Sequence, residues 1–282
     1  MPSFDTPEAI SVTARVEAGS IQFTAGDRLD TVVDVRPRDP KKDVDVRAAE
    51  QTDVTYTGGA LTVRTPKGHL LGLGRTGTVD VTVELPTGSR IEMTGAWAQV
   101  LGEGRLGEVN VKTSSGDVRL DTTGPLQLTA SHGSITVDRV EGRAEITTSS
   151  GSLRVGILDG PAVLKNSHGT TTVDAATGEL RVSGANGDIE IRRAEDSVTA
   201  TTAHGTLRVG EVARGTVQLE TNYGAIDIGV RVGTAAWLDV SSGSGQVRNT
   251  LTASESPERT EDTVKVRART KYGNIDVRRA RA

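Results

Sequence analysis

The sequence predicts an all-β fold, a parallel β-solenoid of 18-residue coils behind an irregular β-rich amino-terminal cap. Three observations carry it. Glycines recur at Gly116, Gly133, Gly151, Gly169, Gly187, Gly205 and Gly224, spaced by 17, 18, 18, 18, 18 and 19 residues. A second series, Gly124, Gly142, Gly160, Gly178, Asp196 and Gly215, marks another bend in each unit. Between bends, apolar residues alternate two apart, the strand period, and Val, Ile and Thr make up more than a quarter of the chain, as half-buried pleated surfaces prefer.

Residues 1–104 show strand-like alternation at Ile10 to Val16, Ile21 to Phe23, Val32 to Arg36, Leu61 to Arg64, Val79 to Leu85 and Ile91 to Met93, with no common period. Pro37, Pro40, Lys41 and Lys42 make a polar interruption and Pro66 to Gly77 a glycine-rich loop. Terminal repeats are usually atypical, so this region reads as a cap. From residue 105 the register is regular: Leu126 and Leu128, Ile135 and Val137, Ala144 and Ile146, Leu153 and Val155, and onward to Ile226 and Ile228. A further apolar position, at Val140, Leu158, Ala176, Ala194 and Val212, follows the second strand by three residues and so implies a corner. Stacked coils place equivalent residues ~4.8 Å apart and bury each inward set against its neighbours. An antiparallel meander would need some eighteen strands in one open sheet, beyond the ~10 that sheets usually tolerate. A propeller would need ~40-residue blades, and no Trp-Asp signature accompanies the repeat.

Past Ile228 the grid slips. Trp237, Gly243 and Gly245 fall off it, residues 249–262 read as a surface insertion, and Val264 to Val277 restore one final coil.

The composition narrows the function classes. With no Cys there is no disulfide and no thiolate chemistry. A net charge of -4 and only seven Phe, Trp and Tyr argue against nucleic acid, which asks for basic surface and stacking rings. Neither a signal peptide nor a membrane span is readable, so the expected location is cytoplasmic, with any envelope association made through a partner.

Gly72-Leu73-Gly74-Arg75-Thr76-Gly77 matches a dinucleotide-binding pattern, but Val79 to Leu85 after it alternates as a strand, leaving no helix start for a pyrophosphate. His132, His168 and His204 precede turn glycines at intervals of 36 residues. In stacked coils they stand ~9.6 Å apart, too far to share a zinc ion. Gly116-Asp117 and Gly187-Asp188 resemble calcium-roll turns, whereas Ser134, Ser152, Thr170 and Thr206 replace the aspartate elsewhere. No cofactor and no metal are expected. The outward row Arg119, Thr136, Arg154, Thr172, Glu190, Arg208 and Asp227 is where a glycan-active β-helix would hold its carboxylates, and only its last three residues approach such a cluster.

Units such as Ser114-Ser115-Gly116-Asp117-Val118-Arg119-Leu120 and Ser149-Ser150-Gly151-Ser152-Leu153-Arg154-Val155, behind a β-rich start, resemble the bacterial putative-adhesin family of β-strand repeat proteins, a domain of unknown function. The resemblance covers most of the chain and implies a non-enzymatic, sometimes envelope-linked protein. The leading expectation is therefore a non-catalytic solenoid that scaffolds or binds a protein or envelope component. A glycan-active β-helix lyase or hydrolase is the alternative. Candidate partner-binding residues are Tyr223 and Tyr272, which precede turn glycines, and Trp237 beside the insertion, because exposed aromatics favour interfaces. Oligomeric state is not readable from the sequence.

Overall fold

The computed structural model describes residues 1–66, 76–251 and 262–280. The chain is nearly all-β, a parallel β-solenoid with one short helix among the described residues. It divides into two compact units, Met1–Glu141 and Gly142–Ala282.

In the first unit, β1 (Ser3–Asp5) leads to the long β2 (Ser11–Gly26), then β3 (Asp30–Pro37), α1 (Asp43–Glu50), β4 (Asp53–Thr57), β5 (Ala60–Arg64), β6 (Val79–Pro86) and the long β7 (Arg90–Arg105). The paired strands β8 (Val109–Ser115) and β9 (Val118–Thr123), and β10 (Leu126–His132) and β11 (Ile135–Glu141), complete it. β2 and β7 are coils in their own right. They run parallel from Ser11↔Arg90 to Thr24↔Glu103, and β7 then carries β8 on its first half and β9 on its second. β10 follows on β8 and β11 on β9. The parallel stacking thus reaches back to Ser11. On the other side of β2 lie β5 and β6, and antiparallel pairs finish the edge: β4 on β5, β3 on β6 and β1 on β3. α1 packs against β3 and β6, and its buried Asp45 carboxylate accepts the Thr78 N–H at 2.8 Å.

In the second unit the coils are β12 (Ala144–Ser150) with β13 (Leu153–Asp159), β14 (Ala162–His168) with β15 (Thr171–Ala176), β16 (Leu180–Asn186) with β17 (Ile189–Ala194), β18 (Val198–His204) with β19 (Leu207–Val212), and β20 (Gly215–Tyr223) with β21 (Ile226–Val230). Each strand pairs in parallel with its equivalent one coil on. Then the order departs from the sequence. β22 (Ala235–Ser244) and β23 (Val247–Asn249) precede β24 (Thr263–Tyr272) and β25 (Ile275–Arg279), yet β24 pairs with both β20 and β22, and β25 with both β21 and β23. The off-grid residues around Trp237 therefore form a coil, and Gly245 is its corner, with φ 156°. The last stretch of chain fills the slot beneath that coil.

The inward set is that read from the repeat: Leu126, Ile135, Ile146, Leu153, Leu164, Ile189, Leu207 and Leu219 are all buried. Corner glycines hold a backbone that other residues rarely adopt. Gly169 has φ 126°, and a Cβ there would sit 2.1 Å from the carbonyl oxygen of Gly151 in the next coil. Inside the same corner runs a polar column that the apolar pattern does not announce. Thr221 donates to Gly205 O at 3.1 Å, Thr270 to Gly224 O at 3.0 Å, Ser242 to Gly273 O at 2.8 Å, and Asn166 Nδ2 to Gly151 O at 3.0 Å and Gly169 O at 3.2 Å. Turn carbonyls left over by the ladder thus find donors in the interior, as buried polar groups require.

Candidate binding surface: the ring ladder

The residue before each corner glycine ends the first strand of its coil with its side chain outside. Because the coils are in register, these side chains form a column. In the second unit it runs Ser150, His168, Asn186, His204, Tyr223, Tyr272 and Ser244. Tyr272 follows Tyr223 directly because β24 lies between β20 and β22. The rings of His204 and Tyr223 stack with centroids 4.8 Å apart and planes 6° from parallel; those of Tyr223 and Tyr272 are 4.9 Å and 7°. Both separations match the inter-strand spacing, so the backbone ladder itself sets the stack. These centroid distances fall in the range of favourable aromatic pairs, worth ~0.5–1.5 kcal/mol each. Tyr223 is 51% and Tyr272 54% exposed, so the stack presents ring edges and hydroxyls to solvent.

Trp237, 65% exposed, stands apart. It lies on β22 opposite Lys265, seven residues before Ser244, which at ~3.3 Å per residue is some ~23 Å from the ring stack. Of the three candidate residues, the fold joins Tyr223 to Tyr272 and leaves Trp237 on its own. It also adds His204, which the repeat places in the column but which sequence spacing does not link to Tyr272.

The neighbouring ladders are ion-paired. At the corner after the second strand, Arg231 binds Glu195 and Glu211, each at 2.7 Å, across three successive coils. The hydrogen bond from Arg231 holds the Glu195 carboxyl below its usual range, and the two glutamates raise the arginine further. On the outward row, Glu190, Arg208 and Asp227 are in register, and Asp227 is bound by Arg208 at 3.6 Å and by Arg278 at 3.2 Å. In the first unit, a solvent-open cleft of about 440 Å³ is lined by Thr13, Arg15, Arg64, Thr65 and Thr94, with Arg15 held by Glu17 at 2.8 Å. Among the described residues no three His, Asp or Glu converge as metal ligands, and no helix is long and apolar enough to cross a membrane. His69, most of the Gly72–Gly77 pattern and Ser254 to Glu261 lie outside the described residues.

Parallel coils with outward side-chain ladders and a single long-period repeat define a β-solenoid of the strand-repeat class. Within that class, the chain belongs to the Toastrack DUF4097 family, whose model matches residues 9–280. Solved structures similar to it include a putative adhesin from Bacteroides fragilis, at 13% identity and TM-score 0.44 over 98% of this chain and 95% of that one. Another is a putative adhesin from Parabacteroides distasonis, at 18% identity and TM-score 0.43 over 79% and 93%. No curated protein matches the chain.

Proposed function

We propose that the chain is a non-catalytic binding module whose coils hold the His204, Tyr223 and Tyr272 stack as a contact surface for a protein or cell-envelope partner. The observation that carries this reading is the exposed stack of three near-parallel rings, built on the strand ladder. Aromatic side chains whose order is already fixed lose little entropy on binding, and rings with a polar edge are favoured interface anchors. The pairing of Asp227, on the outward row, with Arg208 and Arg278 is consistent with a solvated face rather than with a pair of catalytic carboxylates.

The test is the double variant Tyr223→Ser/Tyr272→Ser, compared with Thr199→Ala on a neighbouring outward position, in quantitative recovery of partners from the native host. Loss of the same partner from the double variant, with melting unchanged, is the expected result. Equal recovery by both would refute the assignment.

A further inference from the structure

The outermost coil of the second unit is β22 and β23, because β24 and β25 lie beneath it. Among the described residues, β22 is hydrogen-bonded on one side only. Its inward row is correspondingly open. Leu238 and Val240 are half-buried and Val247, on β23, is 43% exposed, whereas Val266, Ala268 and Ile275, their respective partners one coil below, are buried. The Ala235 N–H donates to Asp262 O on the β24 side. Alternation along the strand then turns the N–H and C=O of Leu238, Val240 and Ser242 toward the open side.

Edge strands in soluble proteins are usually blunted by proline, a bulge, lysine or an inward charge. β22 has none of these. Its one charged residue, Asp239, points outward and is already held by Arg269 at 2.5 Å and Arg267 at 3.2 Å. The first unit treats its own outer edge differently, covering β2 with β5 and β6 and closing these with antiparallel strands.

We propose that β22 is a self-association edge, pairing antiparallel with β22 of a second copy about a two-fold axis at Val240. The edge specifies that occupant through its own sequence. Antiparallel pairing centred on Val240 makes the central pair a hydrogen-bonded one, since both its backbone groups face outward. It sets Trp237 opposite Gly243 of the second copy, so the exposed indole covers the one position on the outer row that has no side chain. It also sets Asp239 opposite Ser241 and Leu238 opposite Ser242, so large faces small on both rows and no like charges meet. The contact is modest. A strand of this length spans ~33 Å and the layer behind it ~10 Å, well short of the ~800 Å² per partner of a standard interface, so association depends on concentration.

The chain has no cysteine, so Val240→Cys introduces a single thiol. Cα atoms of a hydrogen-bonded antiparallel pair are ~5.5 Å apart, within disulfide reach. On mild oxidation of the full chain, Val240→Cys is expected to form a covalent dimer, and Ser149→Cys, on a coil away from the edge, is not. Sedimentation of the native chain up to about 1 mM should show a monomer–dimer equilibrium whose dissociation constant rises at least ~10-fold in Trp237→Ala, with the melting temperature unchanged. A native chain that stays monomeric throughout that range overturns the proposal. So does equal cross-linking of the two cysteine variants, or a dimer abolished by Tyr223→Ser/Tyr272→Ser and untouched by Trp237→Ala.

Discussion

At the scale of single residues, the corner is where the chain has least freedom. Gly169 combines a positive φ with a carbonyl 2.1 Å from where a Cβ would stand, so Gly169→Val forces both backbone strain and a backbone shift. Thermal denaturation should show a loss of roughly 3 kcal/mol or more, against less than about 0.5 kcal/mol for the exposed substitution Ser149→Ala. Thr221→Val keeps shape and removes only the donor to Gly205 O, which should cost about 1 kcal/mol. Glu195 makes a pH prediction. Its carboxyl is held below the ordinary 4.5 chiefly by the hydrogen bond from Arg231. A depressed acid contributes stability that is complete above its unfolded value and fades as pH falls through the folded one. Stability should therefore drop below about pH 4.5, and Arg231→Met should flatten that slope. Both side chains are about a third exposed, which keeps the effect under about 1 kcal/mol. The glycines were legible because their spacing is regular. The Thr and Asn column was not, since a hydroxyl on the inward row of one strand looks in sequence like any tolerated polar residue, and its acceptor sits in a neighbouring coil.

At the scale of elements, the coil is a set of strands whose inward side chains meet only their equivalents above and below. Ile189→Asp places an unpaired charge against Leu207 and Thr171 in a dry stack and should cost several kcal/mol, read as a fall in melting temperature. The alternation made these strands readable from Leu126 to Ile228. It did not reveal the stacking of β2 on β7 or the presence of α1, for identifiable reasons. β2 and β7 stack like later coils, but where β2 has Gly19 at the bend, β7 has Ala98, so no glycine period marks that coil. α1 presents only Ala48 as a buried apolar residue, beside the buried carboxylate of Asp45, so no helical stripe exists to be seen.

At the scale of the whole chain, most strand pairs join residues about 18 apart, and stability should be close to a sum of coil terms and nearest-neighbour terms. Several pairings break that locality, among them β2 with β7, β20 with β24 and β21 with β25, the last two joining residues 49 apart. A chain ending at Leu251 removes one coil by length but two by stacking, since β22 and β23 then lose the layer they rest on. Denaturant unfolding of that truncation should show an m-value reduced by two coils' share of buried surface, about twice that for removing a coil that rests on nothing else. The ring stack shares this dependence. Tyr223 and Tyr272 could be flagged individually because each precedes a turn glycine, but their adjacency follows from coil order, which spacing along a linear repeat does not encode.

That inverted order also bears on synthesis. β22 leaves the ribosome before the strand that belongs beneath it, and β20 waits with an open edge of the same 4.8 Å rise. If β22 docks transiently on β20 first, in a contact that does not persist at equilibrium, the slot is closed and must reopen before β24 can enter, so the molecule carries a built-in competitor to its own last folding step. Refolding of the full chain should then show a slow phase absent from the chain ending at Leu251, and the competitor should be strongest while β24 is still being made. The position of one strand in the stack thus turns the timing of translation into a determinant of how much protein reaches the native state.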